Sequence, residues 1–376
     1  MAAAADAGAD DLAAYLALAQ VPGIGAARLR TLLSAFGSAG AALVAPAGAL
    51  AALPGFGPAA AAAVRGARSR TGADILEQLH RLGAAVLVPG DPAYPAALAQ
   101  IADPPTALFT WGDATLLDRP AAALVGSRSH TPYGEEAARL LATGVARAGA
   151  VVVSGMARGL DAVAHRAALD VGGATVGVLG NGFGVTYPAA NRDLYDRVVA
   201  QGCLVTELAP GERPRVSTFP RRNRIIAGLA GCTVVIEAAV GSGALITADC
   251  ALDQGRSVLA VPGPITSPTS EGCNKLIQQG AKPALSPADV LEELGMTATT
   301  TAAIAAVPAP RVWPADLDAV HRSVCDSLAA APVHVDLVVR ATGLDSGEVL
   351  AALTELELRG LVVQRPGMMF AIQHDS

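Results

Sequence analysis

Between residues 120 and 290, short apolar runs alternate with segments in which apolar residues recur at helical spacing. The apolar runs, most of them rich in β-branched residues, predict strands at residues 121–126, 150–155, 174–180, 203–208, 232–239 and 256–262. The segments between them predict helices at residues 135–148, 160–171, 192–200, 222–229 and 245–253. This alternation is typical of right-handed βαβ units, so we expect an α/β fold with a doubly wound, mostly parallel sheet. Another strand at 84–88 and the segment 91–113 are expected to extend the sheet edge.

Residues 11–70 predict short helices interrupted by two similar glycine-containing segments. Each segment consists of proline, glycine, an apolar residue and glycine: Pro22-Gly23-Ile24-Gly25 and Pro54-Gly55-Phe56-Gly57. This is the helix-hairpin-helix pattern, in which glycines free backbone N–H groups at a helix N-terminus for a phosphate. The pattern also suits a pair of tight turns in a small helical domain, and few basic residues flank the loops. Both interpretations stay open.

The C-terminal part begins after a stretch rich in Thr, Ala and Pro at residues 296–312, which predicts a linker. Helical patterns and a hairpin follow at residues 316–329, 335–342, 346–359 and 361–372, with the hairpin turning at Pro366-Gly367. Three helices followed by a two-stranded wing are typical of a winged helix-turn-helix. We therefore divide the chain into an N-terminal helical (SAM-like) domain, an α/β domain, a linker and a winged helix at residues 1–72, 73–295, 296–312 and 313–376.

The composition adds information about the core, the charge and the compartment. Hydrophobic residues make up 52% of the 376 residues and aromatic residues 3%, so the core must consist mainly of Ala, Val, Leu and Ile. With a net charge of −6, a nucleic-acid-binding chain must concentrate its positive charge locally. Five dispersed cysteines without a Cys-x-x-Cys pair fit a reducing cytosol. No signal peptide is evident, and prolines argue against a membrane span in the charge-free stretch 31–64, so we expect a cytoplasmic protein without membrane contact.

Small residues follow most of the predicted strands. In a doubly wound sheet, ligands bind outside the carboxyl ends of the strands, and Gly and Ser before a helix N-terminus suit an anion. Tight turns explain any single loop equally well, whereas five such loops at one sheet edge favour phosphate binding. The candidates from these loops are Gly126, Ser127, Arg128, Ser154, Arg158, Ser242, Gly243 and Thr247.

The loop predicted after the fourth strand concentrates positive charge. Residues 212–224 contain five arginines and one acidic residue, a net charge of +4. Arginine beside Phe219 suits nucleic acid, because guanidinium groups bind phosphates and an aromatic ring stacks on a base. A solvated basic loop is the alternative, which Phe219 and the other loops disfavour. The candidates here are Arg215, Phe219, Arg221, Arg222, Asn223 and Arg224.

Several enzyme classes are disfavoured because this sequence lacks the motifs that they need. The sequence has no P-loop, no nucleophile elbow and no metal-ligand spacing among its His and Cys residues. The glycines at 180–184 run into Pro188 rather than a helix, which argues against a dinucleotide site. Asp161 and His165 share a helix face, and we expect an intrahelical pair that orients the helix rather than a catalytic dyad. We therefore expect no enzymatic activity, no cofactor and no metal.

Taken together, these segments resemble the DNA-processing protein A (DprA/Smf) family over most of residues 75–290. The matching runs are Val125-Gly126-Ser127-Arg128, Ser154-Gly155-Met156-Ala157-Arg158-Gly159-Leu160-Asp161, Phe219-Pro220-Arg221-Arg222-Asn223-Arg224-Ile225-Ile226 and Ser242-Gly243-Ala244-Leu245-Ile246-Thr247. The resemblance implies a Rossmann-like core that binds single-stranded DNA in a basic pocket, lined by Arg128, Arg215 and Arg222 with Phe219 nearby. It also implies a homodimer that protects incoming DNA and loads the RecA recombinase in natural transformation. One departure is Gly184, where the family usually has Asp.

Two other functions stay open. Related folds include phosphoribohydrolases, which combine a Pro-Gly-Gly-x-Gly-Thr loop with an acidic residue, and Glu237 before Gly241-Ser242-Gly243 is a partial match to that pattern. A winged helix could also serve a sequence-specific regulator. However, the third helix of the predicted winged helix holds three Glu and one Arg, so we expect it to be a weak DNA reader.

Overall fold

A computed structural model of the chain describes residues 2–296, 314, 317–328, 333–365 and 367–372. It forms two compact units, residues 1–305 and 306–376. The predicted linker at 296–312 lies outside the described residues except for Met296. Within the described part of the chain, no helix is long and apolar enough to cross a membrane.

A nine-stranded sheet forms the centre of the first unit. Its strands are β1 (Ala85–Leu87), β2 (Leu108–Gly112), β3 (Ala121–Val125), β4 (Val151–Gly155), β5 (Thr175–Val178), β6 (Cys203–Thr206), β7 (Cys232–Val235), β8 (Ser257–Ala260) and β9 (Lys282–Pro283). The order is β1-β2-β6-β5-β4-β3-β7-β8-β9. The seven neighbouring strands β6-β5-β4-β3-β7-β8-β9 run parallel to one another. β1 and β2 add antiparallel strands at one edge. The predicted doubly wound, mostly parallel sheet is therefore confirmed, and so is its extended edge.

Helices cover both faces of this sheet. They are α7 (Ala96–Ala99), α8 (Pro132–Arg147), α9 (Leu160–Asp170), α10 (Arg192–Gln201), α11 (Thr218–Leu229), α12 (Gly243–Asp253), α13 (Glu271–Gln278) and α14 (Pro287–Glu293), with short 3₁₀ helices at Ala114–Asp118 and Ala189–Asn191. Alternate residues of β3 point to opposite faces, so Leu124 joins a core with α8 and α9 while Val125 joins one with α11 and α12. Burial on both faces explains the nearly continuous apolar strands.

The strand order reverses at β3, because β4, β5 and β6 follow it on one side while β7, β8 and β9 follow on the other. Such a switch point leaves a crevice outside the carboxyl ends of the two central strands, since the connections leave in opposite directions. The crevice here lies beyond β3 and β7.

The helix α11 begins earlier than the sequence predicted. We placed its start at Arg222 and assigned Phe219 to a loop, whereas the helix already includes Thr218. The Thr218 hydroxyl donates to Gly180 O (2.6 Å) and accepts from the Arg215 N–H (3.2 Å), which fixes the first turn. Pro220 is tolerated there because the N–H groups of a first turn have no intrahelical partner. The aromatic ring and the following arginines are thus held on a rigid helix.

The N-terminal helices are α1 (Ala2–Ala19), α2 (Ala26–Phe36), α3 (Ala39–Val44), α4 (Ala47–Ala51), α5 (Pro58–Gly66) and α6 (Ser69–Leu82). Both glycine-containing segments lead directly into a helix, α2 and α5, as predicted. The boundary placed at residues 72–73 falls inside α6, and Tyr15 donates a hydrogen bond to Thr106 O (2.8 Å). These helices therefore share a hydrophobic core with the sheet.

The second unit has a winged-helix arrangement. Its elements are α15 (Ala319–Ser327), β10 (Val333–His334), α16 (Val335–Thr342), α17 (Ser346–Leu358), β11 (Val362–Arg365) and β12 (Met369–Ile372). The predicted two-stranded wing gains a third strand, because β10 pairs with β12. Of the predicted first helix, residues 316 and 329 lie outside the described residues.

Candidate functional site

Two adjoining cavities open at the carboxyl ends of the parallel strands, one of about 550 Å³ in the crevice beyond β3 and β7 and one of about 520 Å³ beyond β4 and β5. We call them together the cavity. Both are lined by Arg128, Tyr187, Phe219 and Arg222, so they meet at these side chains. Ligands of doubly wound sheets bind at this position, which makes the cavity the principal candidate site.

Phe219 forms the centre of the cavity wall. Its ring lies 5.6 Å from the ring of Tyr187, and the Arg128 guanidinium carbon lies 5.5 Å from its centroid. Gly180 allows this position, because a Cβ on that residue would lie 2.8 Å from the Phe219 ring. Tyr187 is 44% exposed and Arg128 is also exposed, so two aromatic rings and a cation are available to a ligand at one place.

Arg222 lies in the wall rather than at the surface. Its side chain is buried and donates to Val178 O (2.6 Å) and to Asn223 Oδ1 (3.2 Å). Gly155 makes room for the guanidinium, since a Cβ there would overlap it. Burial lowers the pKa of Arg222 and nearby Asp161 raises it, and an arginine remains protonated in proteins. The cavity therefore contains a fixed positive charge.

Asp161 is buried beside this arginine. Burial raises the pKa of Asp161 to about 6, against the opposing effects of Arg222 and of the Ala157 backbone N–H. Our expectation that Asp161 pairs with His165 is wrong, because His165 Nδ1 lies 2.7 Å from Thr175 Oγ1 on β5. Burial lowers the pKa of His165 to about 3, so this histidine is neutral. Asp161 thus balances part of the charge of Arg222, and His165 joins α9 to the sheet.

The loop between β7 and α12 forms the opposite wall. Ser242 caps α12 by accepting a hydrogen bond from the Ala244 N–H (3.3 Å), and Asn223 Nδ2 donates to Gly243 O (3.2 Å). The predicted residues that line the cavity are Gly126, Ser127, Arg128, Arg158, Phe219, Arg222, Asn223, Ser242, Gly243 and Thr247. The fold therefore gathers ten of the candidates from three loops and two helices.

The remaining four candidates lie elsewhere. Ser154 is buried and donates to Leu124 O (2.6 Å), while Arg215 is exposed but outside the cavity lining. Arg221 and Arg224 both pair with Glu207, at 3.4 and 2.7 Å. Successive helical positions point in different directions, so Arg221 and Arg224 do not enter the cavity with Arg222. Only part of the positive charge predicted for residues 212–224 thus reaches the cavity, and Glu207 neutralises another part.

Several cavity residues were not among the candidates. They are Tyr187, Pro188 and Tyr195 beside Phe219, and Val216 and Ile246 near the mouth. The Tyr187-Pro188 bond is cis, and Tyr195 donates a hydrogen bond to Tyr187 O (2.9 Å). The sequence signal that could have pointed to Tyr187 and Tyr195 is the rarity of aromatic residues, since this chain has only five Tyr.

Glu237, the acidic residue of the phosphoribohydrolase alternative, does not face the cavity. It is buried, and its carboxylate accepts hydrogen bonds from the Thr131 N–H (2.9 Å), the Thr131 hydroxyl (2.8 Å) and the Thr269 hydroxyl (2.7 Å). These bonds anchor the N-terminus of α8 to the loop after β8. A carboxylate occupied in this way is poorly placed to attack a sugar.

Comparison with known proteins identifies the family. The family model for DNA recombination-mediator protein A matches residues 85–295, which contain β1 to β9 and the whole cavity. The chain belongs to the DprA family. Models for a SAM-like helix-hairpin-helix tandem and for a DprA winged-helix domain match residues 15–65 and 308–368.

Individual DprA relatives cover most of the chain. Protein Smf of Escherichia coli is 41% identical over 75% of this chain and 76% of its own length, and Protein Smf of Synechocystis is 33% identical over 95% and 97%. The X-ray structure of DprA from Streptococcus pneumoniae is 35% identical, with a TM-score of 0.67 over 74% of this chain and 97% of that chain. DprA from Helicobacter pylori, solved in a study of its single-stranded DNA binding mode, is 28% identical, with a TM-score of 0.51 over 56% and 95%.

Proposed function

We propose that the chain binds single-stranded DNA in the cavity. The observation that carries this proposal is the group of Arg128, Phe219 and Tyr187 in the cavity lining, in which the Tyr187 ring and the Arg128 guanidinium carbon lie 5.6 and 5.5 Å from the Phe219 ring. Guanidinium groups bind phosphates and aromatic rings stack on unpaired bases, so this combination suits a single strand. A duplex keeps its bases stacked inside and offers no ring for Phe219. The single-stranded DNA binding described for the Helicobacter pylori relative supports the proposal.

The candidate residues take different parts in this proposal. Arg128 and Arg158 are exposed at the cavity and bind phosphates, while buried Arg222 supplies a fixed positive charge behind them. The backbone of Gly126, Ser127, Ser242 and Gly243 approaches the strand closely, with Thr247 and Asn223 beside it. Arg215, Arg221 and Arg224 lie outside the cavity lining and attract the strand from a distance. Ser154 supports β4 from the buried side.

In the cell, we infer that the bound strand is incoming DNA. The chain protects it and loads the RecA recombinase onto it in natural transformation and recombination, as a cytoplasmic homodimer without catalytic activity. Membership of a recombination-mediator family supports this role. A mediator needs to hold DNA without cleaving it, and the cavity presents cations and rings for that purpose.

Binding of labelled oligothymidylate, the corresponding duplex and a mononucleotide tests the primary claim. We expect the single strand to bind more tightly than either competitor, because several phosphates and bases engage at once. Equal affinity for the mononucleotide would instead indicate a small-nucleotide pocket. Release of free base from nucleoside monophosphates would support the phosphoribohydrolase alternative.

A strand-exchange assay on DNA coated with single-strand-binding protein tests the cellular role. The parent chain should accelerate RecA filament formation, and a Phe219→Ala variant with weakened DNA binding should not. If the parent chain binds the single strand but leaves RecA loading unchanged, the mediator role is wrong while the DNA site stands.

A further inference from the structure

The N-terminal helices have a charge unlike that of the remainder of the chain. Residues 12–73 contain five arginines and no Lys, Asp or Glu, a net charge of +5 in a chain whose total is −6. The five, which we call the arginine surface, are Arg28, Arg30, Arg65, Arg68 and Arg70. All are exposed, and no ion pair to them occurs in the described part of the chain. No acidic side chain of the described residues therefore neutralises their charge.

The fold brings two arginines of α2 to the second glycine-containing segment. The Arg28 guanidinium carbon lies 5.8 Å from the centroid of the Phe56 ring. Arg30 lines a shallow groove of about 550 Å³ together with Thr31, Leu53 and Pro54. In sequence, few basic residues flank the second segment, whereas in space two arginines of α2 adjoin it.

The other arginines follow on α5 and at the start of α6. Arg65 donates to Ala45 O (3.3 Å), and Arg68 donates to Arg65 O (3.1 Å). Arg28 is held in the same manner by Gly23 O (2.8 Å). Carbonyl oxygens orient these guanidinium groups but carry no net charge, so the positive charge remains available to an anion.

The aromatic residues of this region distinguish its ligand from that of the cavity. Tyr15 and Phe56 are buried, and Phe36 packs against the core, so these helices offer charge without a stacking surface. Phosphate contacts without base contacts suit a nucleic acid whose bases are paired and stacked inside. We propose that the arginine surface binds the phosphate backbone of double-stranded DNA, as a second DNA site of this chain.

The proposal predicts how strongly duplex affinity depends on salt concentration. If the five arginines neutralise five duplex phosphates, log affinity should fall with log salt at a slope of about −4.5. Replacing Arg30 and Arg70, which have no hydrogen-bond partner among the described residues, should lower that slope by about 1.8. Between about 50 and 200 mM salt, the parent should then lose about tenfold more duplex affinity than the variant.

The test measures anisotropy of a labelled blunt duplex with the full-length chain. The variant is Arg30→Gln with Arg70→Gln. The matched control is Arg139→Gln with Arg147→Gln, which removes the same charge from exposed positions on α8. A third protein, Arg30→Lys with Arg70→Lys, keeps the charge. Oligothymidylate binding by every protein provides the readout for the cavity.

We expect the Arg30/Arg70 glutamine variant to lose duplex affinity and salt slope, and the control and lysine variants to resemble the parent. Oligothymidylate affinity should stay within about twofold in all of them, because the cavity is untouched. The proposal is overturned if the parent shows no duplex binding, or if the glutamine variant and the α8 control bind the duplex equally. An equal loss of duplex and single-strand affinity also overturns it, since the two sites would then not be separate.

Discussion

The cavity and the arginine surface place the same side chain in opposite surroundings. In the cavity, Arg222 is buried beside Asp161, and exposed Arg128 lies over the ring of Phe219. On the arginine surface, Arg30 and Arg70 are exposed, and the nearby rings are turned into the core. A guanidinium among aromatic rings favours unpaired bases, and one without them favours phosphates alone. Under our two proposals, the side chains around each arginine, rather than arginine itself, distinguish a single-strand site from a duplex site.

The largest expected effect is on stability, and it separates the two kinds of arginine. Arg222→Ala leaves Asp161 buried without its cation and Val178 O without its donor, so we expect a loss of about 3–5 kcal/mol in the free energy of unfolding. Arg30→Ala and Arg70→Ala should each change it by less than about 0.5 kcal/mol. Urea unfolding of the three variants measures both.

Adding Asp161→Asn to Arg222→Ala should recover part of this loss, because a neutral amide needs no buried counterion. If the single Arg222→Ala variant is as stable as the parent, Arg222 does not support the cavity wall, and its burial has no structural consequence.

The sequence predicted the framework of the first unit well, for a physical reason. Strands buried on both faces are nearly continuous apolar runs, so the sequence pattern predicted β3 to β8. Each of these strands is shorter in the structure than the predicted apolar run. The strand order also determines the crevice, which is why loops distant in sequence could be assigned to one site.

The local arrangement of the site could be predicted less well from the sequence, because it depends on the direction in which each side chain points. Helical geometry turns Arg221 and Arg224 towards Glu207 while Arg222 enters the cavity, and a count of charges in residues 212–224 does not contain that information. Tyr187 reaches Phe219 from another loop, and Arg28 reaches Phe56 across the N-terminal helices. Contacts between separate segments of this kind have no signature in local spacing.

Removing the Phe219 ring tests whether the cavity binds a single strand by stacking. Phe219→Ala should weaken single-strand binding by about 1–3 kcal/mol without changing the salt slope, because stacking releases no counterions. Duplex affinity should be unaffected, since the arginine surface does not use Phe219. Phe219→Tyr, which keeps an aromatic ring, serves as the control and should bind as the parent does. A changed salt slope in Phe219→Ala would show that the ring acts by holding Arg128 rather than by stacking.

Removing one exposed cation from the cavity should give a smaller, salt-dependent effect. If roughly four phosphates are neutralised, the single-strand slope should be near −3, and Arg128→Ala should lower it by about 0.7. Arg139→Ala is the matched control, because Arg139 is exposed outside the cavity lining and its charge is already paired with Glu135 at 2.8 Å. Anisotropy titrations with oligothymidylate over a range of salt concentrations measure both slopes. Unchanged affinity of Arg128→Ala at every salt concentration would place the strand elsewhere.

The smallest effect is expected from deleting residues 310–376, because the winged helix adds little positive charge to either site. The acidic residues of α17 have structural partners: Glu355 pairs with His321 (3.0 Å), and Glu357 accepts from the Gln364 N–H (3.0 Å). Glu348 completes the capping box of the helix. A helix with these carboxylates on it repels phosphates, so the truncated chain should bind oligothymidylate and duplex within about twofold of the parent. Circular dichroism checks that it remains folded. If single-strand affinity is abolished in a folded truncated protein, the winged helix contributes to DNA binding, and the assignment of the two DNA sites to the first unit alone is incomplete.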